Sequence, residues 1–345
     1  MVESQTLKNQ KHMRIVLIFF LLIPSYAFCQ SFESKHFTIQ KLSEGVFAAI
    51  ARNGGYAICN AGIIGLGDAT LIFDPFMTPE AAQDLRTISE QLTGHKVKYV
   101  VNSHFHNDHI GGNQVFNDAT IISTEKTREL IAKFQPEEAA SDKKDAPEAL
   151  EMFRKKDTSL MTPHEKEENT MWKGYYEALV RSSDSLKTIL PNVTFLDRLT
   201  ITGTSFPIQL ISYGTAHTLS DLFLYLPSQR IAFPGDILFI KNQPWLGDGD
   251  PVKWQSYLKA IAKLNPQVLV PGHGPVGSLQ DIDQMESNFK SVKDTAFAYY
   301  KRKLNPENEK TIASPAPYNN WFLSNFFKPN VISEFHRFYK NPLKK

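Results

Sequence analysis

The stretch His104-Phe105-His106-Asn107-Asp108-His109-Ile110-Gly111-Gly112 decides how this chain is read. It places three imidazoles and a carboxylate within six positions, directly after the apolar run Val97–Val101. Structure alone rarely calls for so many ligand-type groups in so short a span. Imidazole nitrogen and carboxylate oxygen are donors that zinc accepts, and catalytic zinc keeps an open position for water. Neighbouring side chains of an extended stretch diverge, so His104 and His106 can meet at one metal while Asp108 and His109 turn toward a second.

Three more candidate ligands stand in comparable settings. His217 follows Phe206–Ile211, Asp236 follows Ile231-Ala232-Phe233-Pro234-Gly235, and His273 follows Val268-Leu269-Val270-Pro271-Gly272. Each is expected just past the carboxyl end of a short strand. If those strands share a direction, the groups converge on one rim, where layered α/β domains place their sites.

The surrounding pattern supports such a domain. Apolar runs at Gly45–Ala51, Ala57–Ile64 and Ala69–Phe73, separated by turn residues, predict an antiparallel meander, and Pro79 opens a helix to about Leu92. Further strands are expected near Thr120–Ile122, Thr194–Leu196, Phe206–Ile211, Leu222–Leu226, Arg230–Phe233 and Gln267–Val270. Strands mixed with helices give a layered α/β architecture. From about Glu125 to Leu190 the rhythm breaks: both charge signs are abundant, and Trp172, Tyr176, Leu179 and Leu186 recur at near-helical spacing. This reads as a helical insertion, a wall over the site or a homodimer contact. Helices at Leu279–Arg302 and Asn325–Tyr339 form a C-terminal extension over about 279–345.

With its metal pattern and strand context in place, the chain resembles the metallo-β-lactamase superfamily. The H-x-H-x-D-H segment, Ala216-His217-Thr218, Gly235-Asp236 and Pro271-Gly272-His273-Gly274 match that family's order over about residues 40–280. The resemblance implies a four-layer αββα sandwich. It also implies two zinc ions, one held by His104, His106 and His217 and the other by Asp108, His109 and His273, with Asp236 bridging both. An aspartate at 236 resembles the lactonase and glyoxalase II branches rather than the familiar β-lactamases. Iron or manganese would suit the same nitrogen and oxygen donors.

The chemistry implied is hydrolysis by a metal-activated water, with Asp108 the catalytic residue that orients it. A β-lactam-like amide, lactone or ester is the small-molecule substrate expected. Lys241, Trp245 and Tyr213 are the candidate substrate contacts: an anchor for a carboxylate, a wall of the pocket mouth and a donor to an oxyanion. Gly111 and Gly112 are expected where a side chain would crowd the metals. Two alternatives belong to other classes: a phosphodiesterase or nuclease on the same fold, and a non-catalytic zinc-binding protein.

Composition narrows these. With 42% hydrophobic and 21% charged residues in 345, the chain is globular rather than disordered. Lys8, Lys11 and Arg14 precede an apolar run, Ile15 to Ile23, too short to span a bilayer, so residues 1–29 read as a secretory signal cleaved after Cys29. A lipid-anchored Cys29 is the alternative. The protein is then periplasmic or secreted, with no stable membrane anchor after cleavage. Removing 1–29 leaves 35 basic against 35 acidic residues, so nucleic acid is not an expected partner. Cys59 is then the one remaining cysteine, expected as a packed strand thiol.

Overall fold

In the computed structural model the described residues are 34–340; the secretory signal expected at 1–29 and its cleavage point lie outside them. Two sheets form the centre. The first runs β1 (Phe37–Ser43), β2 (Val46–Ala51), β3 (Ala61–Gly65), β4 (Thr70–Phe73), β5 (Val97–Val101), β6 (Thr120–Thr124) and β7 (Val193–Phe195), in that spatial order. Its first four strands are antiparallel and the rest parallel. The second has the order β12 (Val268–His273), β11 (Ile231–Phe239), β10 (Asp221–Leu226), β9 (Pro207–Gly214) and β8 (Arg198–Thr202).

Strand alternation decides the layering. Successive side chains of a strand point to opposite faces, so each buried strand must offer apolar groups to both. On β2, Val46 and Ala48 face the second sheet while Phe47 and Ala49 face outward; on β10, Leu222, Leu224 and Leu226 face inward while Phe223 and Tyr225 face outward. Between the sheets lies one core that includes Leu71, Phe73, Leu210 and Phe233. Helix α1 (Pro79–Thr93) covers the outer face of the first sheet through Ala81, Leu85 and Ile88. Three helices, α5 (Pro251–Lys263), α6 (Leu279–Arg302) and α7 (Phe327–Lys340), cover the second through residues such as Trp254, Phe289 and Phe335. The result is the αββα sandwich.

Helix α1 begins where Thr78 Oγ1 accepts from the Ala81 amide with Pro79 in the first turn, and it ends at Gly94 in the left-handed conformation. A single turn, α2 (Asn107–Ile110), follows β5 and carries two of the ligand candidates. The segment 125–190 contains α3 (Glu125–Lys155) and α4 (Pro163–Ser182), an antiparallel pair, and α4 opens with a capping box between Thr162 and Glu165. Among the described residues, no helix is long and apolar enough to cross a membrane.

Several local expectations need correction. The run 57–64 is strand only from Ala61, because Ile58 takes a φ of 70° and the chain turns there. Cys59 is therefore in a buried loop, not on a strand, and its Sγ–H donates to the Asp108 carbonyl at 2.9 Å. Strands β1 and β8 lie outside the predicted set; both are edge strands whose exposed positions dilute the apolar signal.

Candidate metal centre

The seven candidate ligands gather at one rim. Strand β9 is antiparallel to β10, β10 is antiparallel to β11, and β11 is parallel to β12, so β9, β11 and β12 point the same way. His217 follows the end of β9, whereas Asp236 lies within β11 and His273 is the last residue of β12. The expectation that Asp236 and His273 stand beyond their strands is thus corrected: parallel pairing carries both strands through the ligands, with register shifts at Gly235.

Asp236 is the centre of the arrangement. Its Oδ2 lies 3.3 Å from His217 Nε2 and 3.9 Å from His104 Nε2, while Oδ1 lies 3.1 Å from His109 Nε2 and 3.5 Å from His273 Nε2. The carboxylate thus presents one oxygen to each imidazole pair. His106 completes the first group, its Nδ1 3.1 Å from His217 Nε2. Asp108 completes the second, its Oδ2 3.2 Å from His273 Nε2 and 3.5 Å from His109 Nε2.

These contacts are what donors around a shared ion look like. His104 Nε2, His109 Nε2 and Asp236 Oδ1 are buried yet make no hydrogen bond, the close approach of His109 to Asp236 being misdirected for one. Buried polar groups left so are rare, and lone pairs converging from five imidazoles and two carboxylates suit divalent metal. The residues fit a metal pair.

Outer contacts fix which nitrogen faces inward. His109 Nδ1 lies 2.9 Å from Asp74 Oδ2, and His104 Nδ1 lies 2.9 Å from Ser103 Oγ, which donates to Asp74 Oδ2 at 2.7 Å. His217 Nδ1 faces the Trp245 carbonyl at 3.2 Å, and His106 Nε2 faces Asp248 Oδ2 at 3.3 Å. Each ring therefore spends one nitrogen on an acceptor and keeps a lone pair for the centre. The rings are also packed: His273 stacks on Phe239 with centroids 5.3 Å apart, and His217 meets Trp254 edge-on at 5.0 Å.

Electrostatics follow from burial and carboxylates. Burial, with neighbouring imidazoles, keeps His104 well below the usual histidine range and pushes His217 down to about 3. Burial would also depress His273, but the Asp236 and Asp108 carboxylates lift it to about 9. Burial opposes ionisation of Asp236 too, yet His273 and His109 hold it well below the usual carboxylate range. Burial raises the Cys59 thiol to about 12. It is an inert thiol rather than a nucleophile.

Backbone geometry accommodates the ligands. A Cβ on Gly272 would stand 1.9 Å from Asp236 Oδ1, so only glycine leaves room for the central carboxylate. Gly111 and Gly112 play a different part from the one expected. Their Cβ atoms would strike the carbonyl oxygens of Met77 and Pro75, each at 1.9 Å, so they let the ligand turn pack on the start of α1 rather than clear the metals.

A cavity of about 700 Å³ opens onto the centre. Lys241 and Trp245 line it, as do His106, Asp108, His217, Asp236 and His273. Tyr213 does not. It is 52% exposed on the outward side of β9, packed on Tyr257, because alternation buries Ser212 and turns its neighbour away; the oxyanion-donor reading of Tyr213 is withdrawn. Asp74, Ser103 and Asp248 escaped the sequence reading, as did the wall residues Tyr175, Phe322 and Phe326. Asp74 carries one signal: it ends β4 just as the ligand loop ends β5, its parallel neighbour.

Comparison with known proteins places this geometry. A family model described as the metallo-β-lactamase superfamily matches residues 54–273. A metallo-β-lactamase type 2 of Bacteroides fragilis is 28% identical over 99 residues, covering 27% of this chain and 40% of that protein. One of Pseudomonas aeruginosa is 22% identical over 280 residues, covering 78% and 89%. Among solved structures, the metallo-β-lactamase from Pontibacter korlensis superposes with a TM-score of 0.53 at 18% identity, covering 72% of this chain and 97% of the other. The DIM-1 metallo-β-lactamase does so with a TM-score of 0.52 at 16% identity, covering 74% and 97%.

Proposed function

The chain belongs to the metallo-β-lactamase superfamily, and on that footing we propose that it is an exported binuclear zinc hydrolase that opens a carbonyl substrate: a β-lactam-like amide, a lactone or an ester. The observation that carries this reading is the division of Asp236, with Oδ2 toward His217 and His104 and Oδ1 toward His109 and His273. Export rests on the pattern of residues 1–29.

Bound zinc would supply a water acidified toward neutrality and Lewis-acid polarisation of the carbonyl. The chain's own residues do the rest. His104, His106 and His217 would hold one ion, Asp108, His109 and His273 the other, and Asp236 would keep the two groups together. Asp108 commits Oδ2 to the His273 side, which leaves Oδ1 to accept a proton of the attacking water and fix its direction. Lys241, on the cavity wall, would draw a substrate carboxylate, and Trp245 would wall the pocket mouth.

The test is metal analysis of the mature protein together with hydrolysis of a chromogenic cephalosporin, an aryl ester, an acyl lactone and bis(p-nitrophenyl) phosphate, before and after chelation. Two metals per chain with chelator-sensitive carbonyl hydrolysis is the expected result. Phosphodiester cleavage alone would replace this reading with a phosphodiesterase, and a protein that binds no metal would end it.

A further inference from the structure

The metal ligands need only the rim of the two sheets, yet the cavity extends well beyond them under a roof built from three distant parts of the chain. Trp172 comes from α4, Trp245 from the loop after β11, and Phe326 from the segment before α7. Phe326 joins the other two: its ring is 6.2 Å from Trp172 and 5.5 Å from Trp245, edge-on to both. Edge-to-face contacts of this kind hold aromatic rings in a fixed mutual geometry.

Each leg of this arch is anchored. Trp245 Nε1 donates to Asp248 at 2.9 Å. The segment before α7 is tied by backbone bonds, Phe322 N to Lys241 O at 3.0 Å and Gln243 N to Phe322 O at 2.8 Å. Helix α4 is seated through Gly174 against Gly54; a Cβ on Gly174 would stand 2.6 Å from Gly54 Cα, so bulk at that contact would lift Trp172 from the arch. Asn53 Nδ2 also donates to the Glu167 carbonyl at 3.0 Å.

The space under the arch is apolar, walled also by Met171 and Ile58. On its α3 side stands Glu138, whose Oε2 accepts from Gln135 Nε2 at 2.6 Å and whose carboxyl is raised by burial to about 7. The rings of the arch offer an anionic group no counter-charge, and aromatic faces recover free energy only from apolar surface removed from water.

Resting on the hydrolase reading above, we propose that the arch of Trp172, Phe326 and Trp245 holds the non-reacting part of the substrate, and that this part is an extended, uncharged apolar body, alkyl or aryl. The α3–α4 insertion and the segment before α7 are then the specificity elements of the site.

Two homologous series test it on the metal-loaded protein: p-nitrophenyl esters from acetate to octanoate, and acetate esters of alcohols from ethanol to octanol. In at least one series kcat/KM should rise about 3- to 4-fold per methylene over the first four carbons. Phe326→Ala and Trp172→Ala should flatten that rise, and Trp172→Phe should keep it; unchanged thermal midpoints separate this from misfolding. Binding is read independently by calorimetry with 4-phenylbutanol and 4-phenylbutane-1-sulfonate. The alcohol should bind about 10-fold more tightly than the sulfonate, and Phe326→Ala should remove most of that affinity. Chain-length profiles flat in both series, or alcohol binding indifferent to Phe326, would overturn the proposal. If no carbonyl compound is cleaved but the alcohol binds in a Phe326-dependent way, the arch stands and the hydrolase reading falls.

Discussion

Asp74 Oδ2 lies 2.9 Å from His109 Nδ1, although one residue follows β4, the other sits in α2, and neither side chain reaches solvent. The same oxygen accepts from Ser103 Oγ, which holds His104, so one carboxylate aligns an imidazole in each proposed metal group.

Asp74→Asn should therefore weaken both positions at once. Loss of such an outer partner typically costs 10–100-fold in metal affinity. Competition with a chromogenic chelator measures it, and an unchanged affinity would show that His109 and His104 are aligned by packing alone.

Gly272→Ala is expected to act on the bridge itself, since the new Cβ would stand 1.9 Å from Asp236 Oδ1. The carboxylate must swing away or the strand must shift. Metal content should fall from two ions per chain toward one or none, read by elemental analysis; full stoichiometry with normal turnover would refute the bridging role.

Asp221 tests the loop that carries His217. Its Oδ2 accepts from the Ala216 and Thr218 amides, each at 2.9 Å, and its Oδ1 accepts from Thr218 Oγ1 at 3.0 Å. These bonds straddle His217. Asp221→Ala would leave buried donors unsatisfied and should cost about 2–4 kcal/mol, measured by denaturant unfolding. Burial raises this carboxyl to about 7, so the folded state binds its proton more readily than the unfolded chain does. Its contribution to stability should thus grow as pH falls from about 7 toward the ordinary range near 3.8.

Proton release should accompany metal uptake. In the metal-free protein His273 is lifted from 6.5 to about 9, so it carries a proton at pH 7.5 and must lose it to bind metal. Zinc affinity should rise with pH up to about 9. The folded pKa of His273 lies above its unfolded value, so its contribution to metal-free stability is complete below about 6.5 and lost as pH rises through about 9. Calorimetry in buffers of different ionisation enthalpy counts the protons; none released at pH 7.5 would contradict the assignment.

The gathering of the candidate ligands was legible because chemistry concentrates locally: His104, His106, Asp108 and His109 share six positions behind an apolar strand. A layered α/β domain was legible because buried strands such as Leu222–Leu226 are written as apolar runs, while the four-layer order came from the family resemblance. What escaped is long-range. Asp74, in Asp74-Pro75-Phe76, reads as a turn, and only the parallel pairing of β4 with β5 brings it beneath His109. Nothing near Phe326 in sequence signals a metal site, because its neighbours Trp172 and Trp245 come from elsewhere in the chain. Tyr213 misled for a related reason: adjacency to His217 in sequence says nothing of which side of β9 a ring takes.

The attachment of Phe322 to the loop at Lys241–Gln243 bears on the order in which the protein comes into being. A chain is made from its amino end, so both sheets and all seven candidate ligands are synthesised before the segment that roofs them. A folding intermediate lacking that segment would hold a complete ligand set under an open mouth. Metal capture and substrate selection would then be separable events in the life of the molecule, the second waiting on a segment made after every candidate ligand.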